Sequence, residues 1–209
     1  RLYGPEVLVV CTTCLSETIG DDVEGIVRML DVPEAASVVW ASTPGYAGSP
    51  LKGYAATVAA LVRQLAKPVP EAGEQGEDGR RLCLLPGWMN PVDVDVAHGY
   101  ATAFFDRVDV VPDVRGVFDE RTPDDPRDYV AGGTPLATLE GLAGCGQAVA
   151  FGFEATHAGA QALREVAGRI ASSGGCDVRE VGLPVGIAAT DAFVQELAGL
   201  SGRREPSWL

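Results

Sequence analysis

The feature that most constrains this chain is an alternation: short runs of β-branched and other apolar residues are each followed by a longer segment whose apolar residues recur at helical spacing. The first run, Glu6-Val7-Leu8-Val9-Val10, precedes a stretch over residues 16–30 in which Ile19, Val23, Ile26, Val27 and Leu30 fall on one helical face. The pattern repeats with a strand over 37–41 and a helix over 51–65, then a strand over 81–85 and a helix over 92–105. Further strands are expected over 108–111, 148–151 and 178–181, and further helices near 136–142, 157–171 and 189–200. Parallel strands need a crossover that an amphipathic helix supplies, so this order predicts an α/β protein: Rossmann-like, doubly wound parallel sheets with helices on both faces.

Punctuation along the chain suggests parts of two or three such domains. Residues 71–79, Glu71 to Gly79, have no apolar periodicity and many charged or flexible residues, so they read as a linker loop. On that basis 1–70 is the C-terminal part of a first Rossmann-like domain, 80–183 a second, and 184–209 the start of a further domain or a connecting helix. A second irregular stretch, 121–133, is rich in Pro, Asp and Gly and leads into Gly132-Gly133-Thr134-Pro135, a turn feeding a helix start. The chain opens without Met only a few residues before a strand, and an internal piece of a longer protein is the expectation.

Charge narrows the partners. Sixteen Lys and Arg stand against 29 Asp and Glu, a formal charge of −13, so the clustered cations that phosphate backbones and anionic membranes require are lacking. No apolar run reaches the roughly 20 residues of a membrane span. The five cysteines, at 11, 14, 83, 145 and 176, are odd in number and sparse, unlike a secreted disulfide framework. Reduced thiols and a cytoplasmic location are expected.

In open parallel sheets ligands bind beyond the carboxyl ends of the strands, and three of those loops are unusual here. They are residues 11–17, 42–49 and 86–91. Cys14 lies between a strand end and a helix start, where unpaired backbone N–H groups and the helix dipole favour a thiolate, the form that binds metals or attacks disulfides. Alone, Cys11-Thr12-Thr13-Cys14 leaves three readings open: a structural pair, a metal or cluster ligand, and a redox couple. A four-cysteine zinc site is not supported, because Cys83 falls within a strand while Cys145 and Cys176 fall in glycine-rich turns without ligand spacing. Gly45 and Gly48 would allow close approach of a bulky ligand, although such glycines are commonly turn formers. Glu17, Asp21, Asp22 and Glu24 read as the ordinary acidic complement of helix starts, Trp88 as packing, and His98 and His157 as surface or packed residues. Gly132-Gly133-Thr134 lacks the lysine and spacing of a phosphate loop, and no nucleophile-elbow or Ser-His-Asp pattern is present.

Taken in order, the motifs resemble the nitrogenase component 1 family, most closely its β subunit. The resemblance runs through Leu2-Tyr3-Gly4-Pro5-Glu6 into Thr12-Thr13-Cys14-Leu15-Ser16-Glu17-Thr18-Ile19-Gly20-Asp21-Asp22, then Thr43-Pro44-Gly45-Tyr46-Ala47-Gly48-Ser49 with Gly53-Tyr54. It continues through Pro86-Gly87-Trp88-Met89-Asn90-Pro91-Val92-Asp93, Tyr129 with Gly132-Gly133-Thr134, and Pro184-Val185-Gly186-Ile187 with Thr190-Asp191-Ala192-Phe193 and Ser201-Gly202.

This resemblance implies an electron-relay subunit of a nitrogenase-type oxidoreductase, with Cys14 matching the third β-subunit cysteine of the P-cluster, an iron-sulfur cluster shared with an α subunit. Two further β-subunit cysteines are expected upstream of this region. Gly45 stands where many molybdenum-type β subunits carry a serine able to ligate the oxidised cluster, so that ligand is absent. The implied partners are an α-type subunit, an ATP-dependent iron protein and a second copy of the αβ pair; neither nucleic acid nor membrane is among them. The piece alone is expected to be inactive and to bind no intact cluster. Neighbouring readings within the family are the cofactor-assembly scaffold and a nitrogenase-like reductase such as dark-operative protochlorophyllide reductase. Outside it stand a thiol-disulfide protein using Cys11 and Cys14 and a non-catalytic α/β binding module.

Overall fold

A computed structural model of the chain describes residues 5–32, 36–68, 80–117, 132–169 and 175–203. The linker at 71–79 and the irregular stretch 121–131, with Tyr129, lie outside the described residues.

All six described strands pair in parallel. β1 (Val7–Cys11) and β2 (Ser37–Ala41) form a two-stranded sheet, while β3 (Arg81–Leu85), β4 (Arg107–Val110), β5 (Gln147–Phe151) and β6 (Asp177–Val181) form a four-stranded sheet in the order β4-β3-β5-β6. The helices are α1 (Cys14–Ile19), α2 (Val23–Arg28), α3 (Pro50–Leu65), α4 (Pro91–Thr102), α5 (Leu136–Glu140), α6 (His157–Gly168) and α7 (Ile187–Ser201).

The period-2 rule for side chains sorts the four-stranded sheet into two faces. Cys83, Leu85, Ala148 and Ala150 enter one core with Val58 and Val62 of α3 and Leu163 and Val166 of α6. Leu82, Leu84, Val149 and Phe151 enter the other with Val94 and Ala97 of α4 and Phe193 and Leu197 of α7. Strands covered on both faces have no polar side, which is why β3 and β5 read as continuous apolar runs. Phe151 and Phe193 meet edge to face with centroids 4.9 Å apart, anchoring α7 to the sheet. The parallel sheets with helices on both faces are thus the architecture expected from the sequence.

α3 joins the two sheets. Val39 and Ala41 of β2 share a core with its inner face, and its outer contact is α6. A Cβ on Gly159 would lie 3.1 Å from Val58 Cγ1, so the glycine lets α6 approach α3 closely. Arg63 clamps the pair by donating through Nε and Nη2 to both carboxylate oxygens of Glu165, at 2.7 and 3.1 Å.

Local structure departs from the expected helix over 16–30, which is two short helices instead. Gly20 adopts a left-handed φ of 77° and donates to Ser16 O at 3.1 Å, closing α1. Asp22 then caps α2, its carboxylate accepting from Gly25 N–H at 2.9 Å. The acidic pair therefore includes a cap, as the helix-start reading anticipated. Helix α6 ends at Gly168, earlier than expected, and residues 170–171 lie outside the described set. No helix among the described residues is long and apolar enough to cross a membrane.

Candidate functional site

Parallel pairing of β1 and β2, with Cys11 opposite Ala41, brings the loops after both strands to one edge. Cys14 is the first residue of α1. Thr13 caps that helix by accepting from Ser16 N–H, and Ser16 Oγ accepts in return from Thr13 N–H at 3.0 Å. This capping box fixes the backbone at the cysteine. The Cys14 side chain is exposed, and its Sγ accepts a hydrogen bond from Gly45 N–H at 3.0 Å. Two residues 31 positions apart in sequence are therefore in direct contact. A Cβ on residue 45 would stand 3.2 Å from that sulfur, so glycine leaves the thiol face open where a side chain would press on it.

A small polar network holds the two loops together. Thr12, buried at 8% exposure, donates through Oγ1 to Glu17 Oε1 at 2.5 Å and accepts from Thr43 N–H at 2.9 Å. Thr43 Oγ1 donates to Thr12 O at 2.8 Å, and Ser42 Oγ donates to the same Glu17 oxygen at 2.5 Å. The hydroxyls of Ser42 and then Thr12 hold the Glu17 carboxyl below the usual carboxylate range, against the opposing effect of desolvation. The sequence reads Glu17 as a helix-start acid; the signal for its network is the cluster of hydroxyls, Thr12, Ser42 and Thr43, at two adjacent strand ends.

Beside this edge lies a cleft of about 820 Å³, lined among others by Pro44, Gly45, Lys52, Phe153, Glu154 and His157. Ser49 Oγ donates to Glu154 Oε1 at 3.0 Å between the two loops that border it. His157 is tied away through Nδ1 to Glu180 at 2.7 Å, in keeping with a surface role.

The remaining expected residues are dispersed. Cys11 ends β1 but is exposed, 3.8 Å from Thr57 Oγ1, because a two-stranded sheet leaves its ends open; it does not join the core. Trp88 is 66% exposed and stacks only edge-on against Tyr54, whose hydroxyl donates to Gly87 O at 2.9 Å, so the packing role expected of it is partial. Thr134 binds the end of β4, donating to Val110 O at 2.9 Å and accepting from Asp113 N–H at 2.7 Å, a structural tie and not an anion cradle. Among the described residues no group of three His, Cys, Asp or Glu is arranged to hold a metal ion.

Fold and site together define a class: a doubly wound α/β chain that presents an exposed cysteine at a strand end, bonded by a backbone N–H from the neighbouring loop. Residues 1–209 match the family model described as nitrogenase component 1 type oxidoreductase, and the chain belongs to that family. It is 28% identical over 212 residues to the nitrogenase molybdenum-iron protein beta chain of Clostridium pasteurianum, covering 99% of this chain and 43% of that one. It is 30% identical over 210 residues to the nitrogenase vanadium-iron protein beta chain of Trichormus variabilis, covering 96% and 42%. Similarity to the nitrogenase iron-molybdenum cofactor biosynthesis protein NifN of Rhizobium meliloti is 28% over 212 residues, covering 97% and 45%. A solved structure titled "Nitrogenase Cp1 at pH 6.5" superposes with a TM-score of 0.84 at 29% identity, covering 99% of this chain and 43% of that one. The chain thus spans less than half the length of these relatives.

Proposed function

We propose that this chain is part of an electron-relay, β-type subunit of a nitrogenase, in which Cys14 ligates an iron-sulfur cluster shared with an α-type subunit. The observation that carries the reading is the contact between Gly45 N–H and Cys14 Sγ on an exposed strand end. The residues fit such a group: the sulfur is open to a partner, the capping box fixes its backbone, and glycine keeps position 45 free of a side chain that would crowd it. Gly45 also leaves no side-chain oxygen there to act as a further ligand. Bound, the cluster would supply one-electron transfer between an ATP-dependent iron protein and the cofactor of the α-type subunit, where dinitrogen is reduced to ammonia.

The chain's own contribution is positional. Glu17, Thr12, Ser42 and Thr43 lock the two loops, so the N–H of Gly45 stays aimed at the sulfur, and hydrogen bonds to cluster sulfurs tune reduction potential. One thiolate does not make a cluster site, so the 209-residue chain by itself holds no intact cluster and is inactive; a second αβ pair completes the assembly. In the longer protein we divide the chain at 71–79 into Rossmann-like bodies that meet through α3, with 184–209 leading onward. A cytoplasmic location accords with this reading.

The comparable similarity to NifN supports a second reading, a scaffold on which the cofactor is assembled. Both are tested on the full-length protein co-purified with its partner subunit. For the relay, Cys14→Ala removes iron and the cluster's electron paramagnetic resonance signal while the subunits stay associated; unchanged iron and signal would sink it. Dinitrogen reduction by the intact complex separates the relay subunit from the scaffold.

A further inference from the structure

The structure gathers the three remaining cysteines on one face of the four-stranded sheet, Cys145 and Cys176 at its amino-terminal edge and Cys83 within β3. Cys83 lies in β3, where it pairs with Ala148 of β5; Cys145 lies just before β5; Cys176 immediately precedes β6. Asp177 pairs with Gln147 and donates through N–H to Gly146 O at 2.9 Å, which sets Cys176 beside the Cys145-Gly146 turn. Cys83 and Cys145 are 0% and 1% exposed, whereas Cys176, just before the edge strand, is partly exposed. Cys83 and Cys145 belong to one buried cluster against which Cys176 packs, and Cys145 Sγ donates to Gln147 O at 3.1 Å.

We infer that Cys176 and Cys145 form a thiol-disulfide exchange site that takes a small-molecule disulfide at the partly exposed Cys176 and resolves it with Cys145. This goes beyond the cluster-binding reading and does not depend on it. It also differs from the Cys11 and Cys14 couple that the sequence suggests, because those side chains are engaged separately, with Thr57 and with Gly45.

The division of labour follows from exposure: Cys176 is open to a small reagent, and Cys145 is buried beside it. The neighbouring Cys145, and then desolvation, push the Cys176 thiol up. Arg81 is anchored by Asp109 at 2.6 Å and by Gly141 O at 3.0 Å, while its buried Nη2 has no partner. Asp177 and Arg164 also act on Cys176, with opposite signs.

In the exchange, the Cys176 thiol gives up its proton to water as its sulfur attacks one sulfur of the small disulfide, and the other half departs as a thiolate that takes up a proton. Cys145 then gives up its proton and attacks the Cys176 sulfur of the mixed disulfide, and the second small thiolate leaves and is protonated. The protein loses two electrons to the reagent: two protein thiols and one small disulfide become the Cys145–Cys176 disulfide and two small thiols.

The test incubates the full chain with oxidised glutathione and maps its peptides by mass spectrometry. The expected product is a Cys145–Cys176 disulfide, reversed by dithiothreitol, absent in Cys176→Ala and retained in a Cys11→Ser, Cys14→Ser double variant. Cys83→Ala keeps the disulfide, and Cys145→Ala yields no internal disulfide and only mixed disulfide at Cys176. Circular dichroism checks that each variant is folded, and Cys176→Ala, altered at a partly exposed site, decides the outcome if Cys145→Ala does not fold. A disulfide formed only between Cys11 and Cys14, or persistent free thiol at Cys176, would overturn the inference.

Discussion

The four-stranded sheet is buried on both faces by helices, whereas the two-stranded sheet shares a core with α3 but meets α2 only through residues that are not buried, and Leu8 stays 46% exposed. Both are parallel, and α3 serves both, so pairing geometry does not distinguish them. Coverage does. The covered sheet buries Phe104, Phe151 and Phe193 and supplies cohesion. The open sheet supplies almost none from α1 and α2, neither of which has a buried residue, but it holds two loops accurately through short polar bonds. Stability and candidate chemistry thus fall to different sheets, and substitutions test that division.

The largest difference should come from matched truncations. Phe193→Ala removes a fully buried ring and should cost about 3–5 kcal/mol, while Leu8→Ala on the open face should cost about 0.5 kcal/mol. Urea unfolding measures both; equal losses would erase the distinction. Gly159→Leu probes the shared helix pair by forcing side-chain atoms against Val58 and should cost about 1–3 kcal/mol, read in the same way.

Thr12→Val removes the hydroxyl that links Glu17 to Thr43 and should cost about 1 kcal/mol. Its sharper signature is faster amide exchange at Gly45, with the core amides of β3 and β5 unaffected; unchanged exchange at Gly45 would show that the polar network does not position the loop.

The smallest effect is one of pH. Desolvation raises the Glu180 pKa, but hydrogen bonds from His157 and Arg164 outweigh it and leave it lowered. A depressed carboxylate contributes stability that is present above the unfolded pKa and is lost as pH falls through the folded value. Stability should therefore decline shallowly below the ordinary carboxylate range, and Glu180→Gln should flatten that part of the profile in acid titrations monitored by circular dichroism.

Much of the fold was legible because coverage leaves a trace in sequence. Arg81-Leu82-Cys83-Leu84-Leu85 and Gln147-Ala148-Val149-Ala150-Phe151 read as buried parallel strands because both faces meet helices. The break at Gly20 was missed because Ile19, Val23, Ile26 and Val27 keep helical spacing across it, while the glycine and the Asp22 cap act locally. At the site, Cys14 stood out by its place after a strand, and family resemblance paired it with Gly45. The partners of Glu17 were hidden, since Ser42 lies 25 residues away and only strand register brings it near. The grouping of Cys83, Cys145 and Cys176 was hidden for the same reason: their sequence spacing has no pattern, and the strand order β3-β5-β6 creates their proximity.

We propose that Cys14, and not its neighbour Cys11, attaches an electron-relay cluster. The most direct measurement compares Cys14→Ala with Cys11→Ala in the full-length protein purified with its partner subunit, by electron paramagnetic resonance after oxidation. Loss of the cluster signal in Cys14→Ala with a normal signal in Cys11→Ala is the predicted result. A normal signal in Cys14→Ala would show that Cys14 is not a cluster ligand.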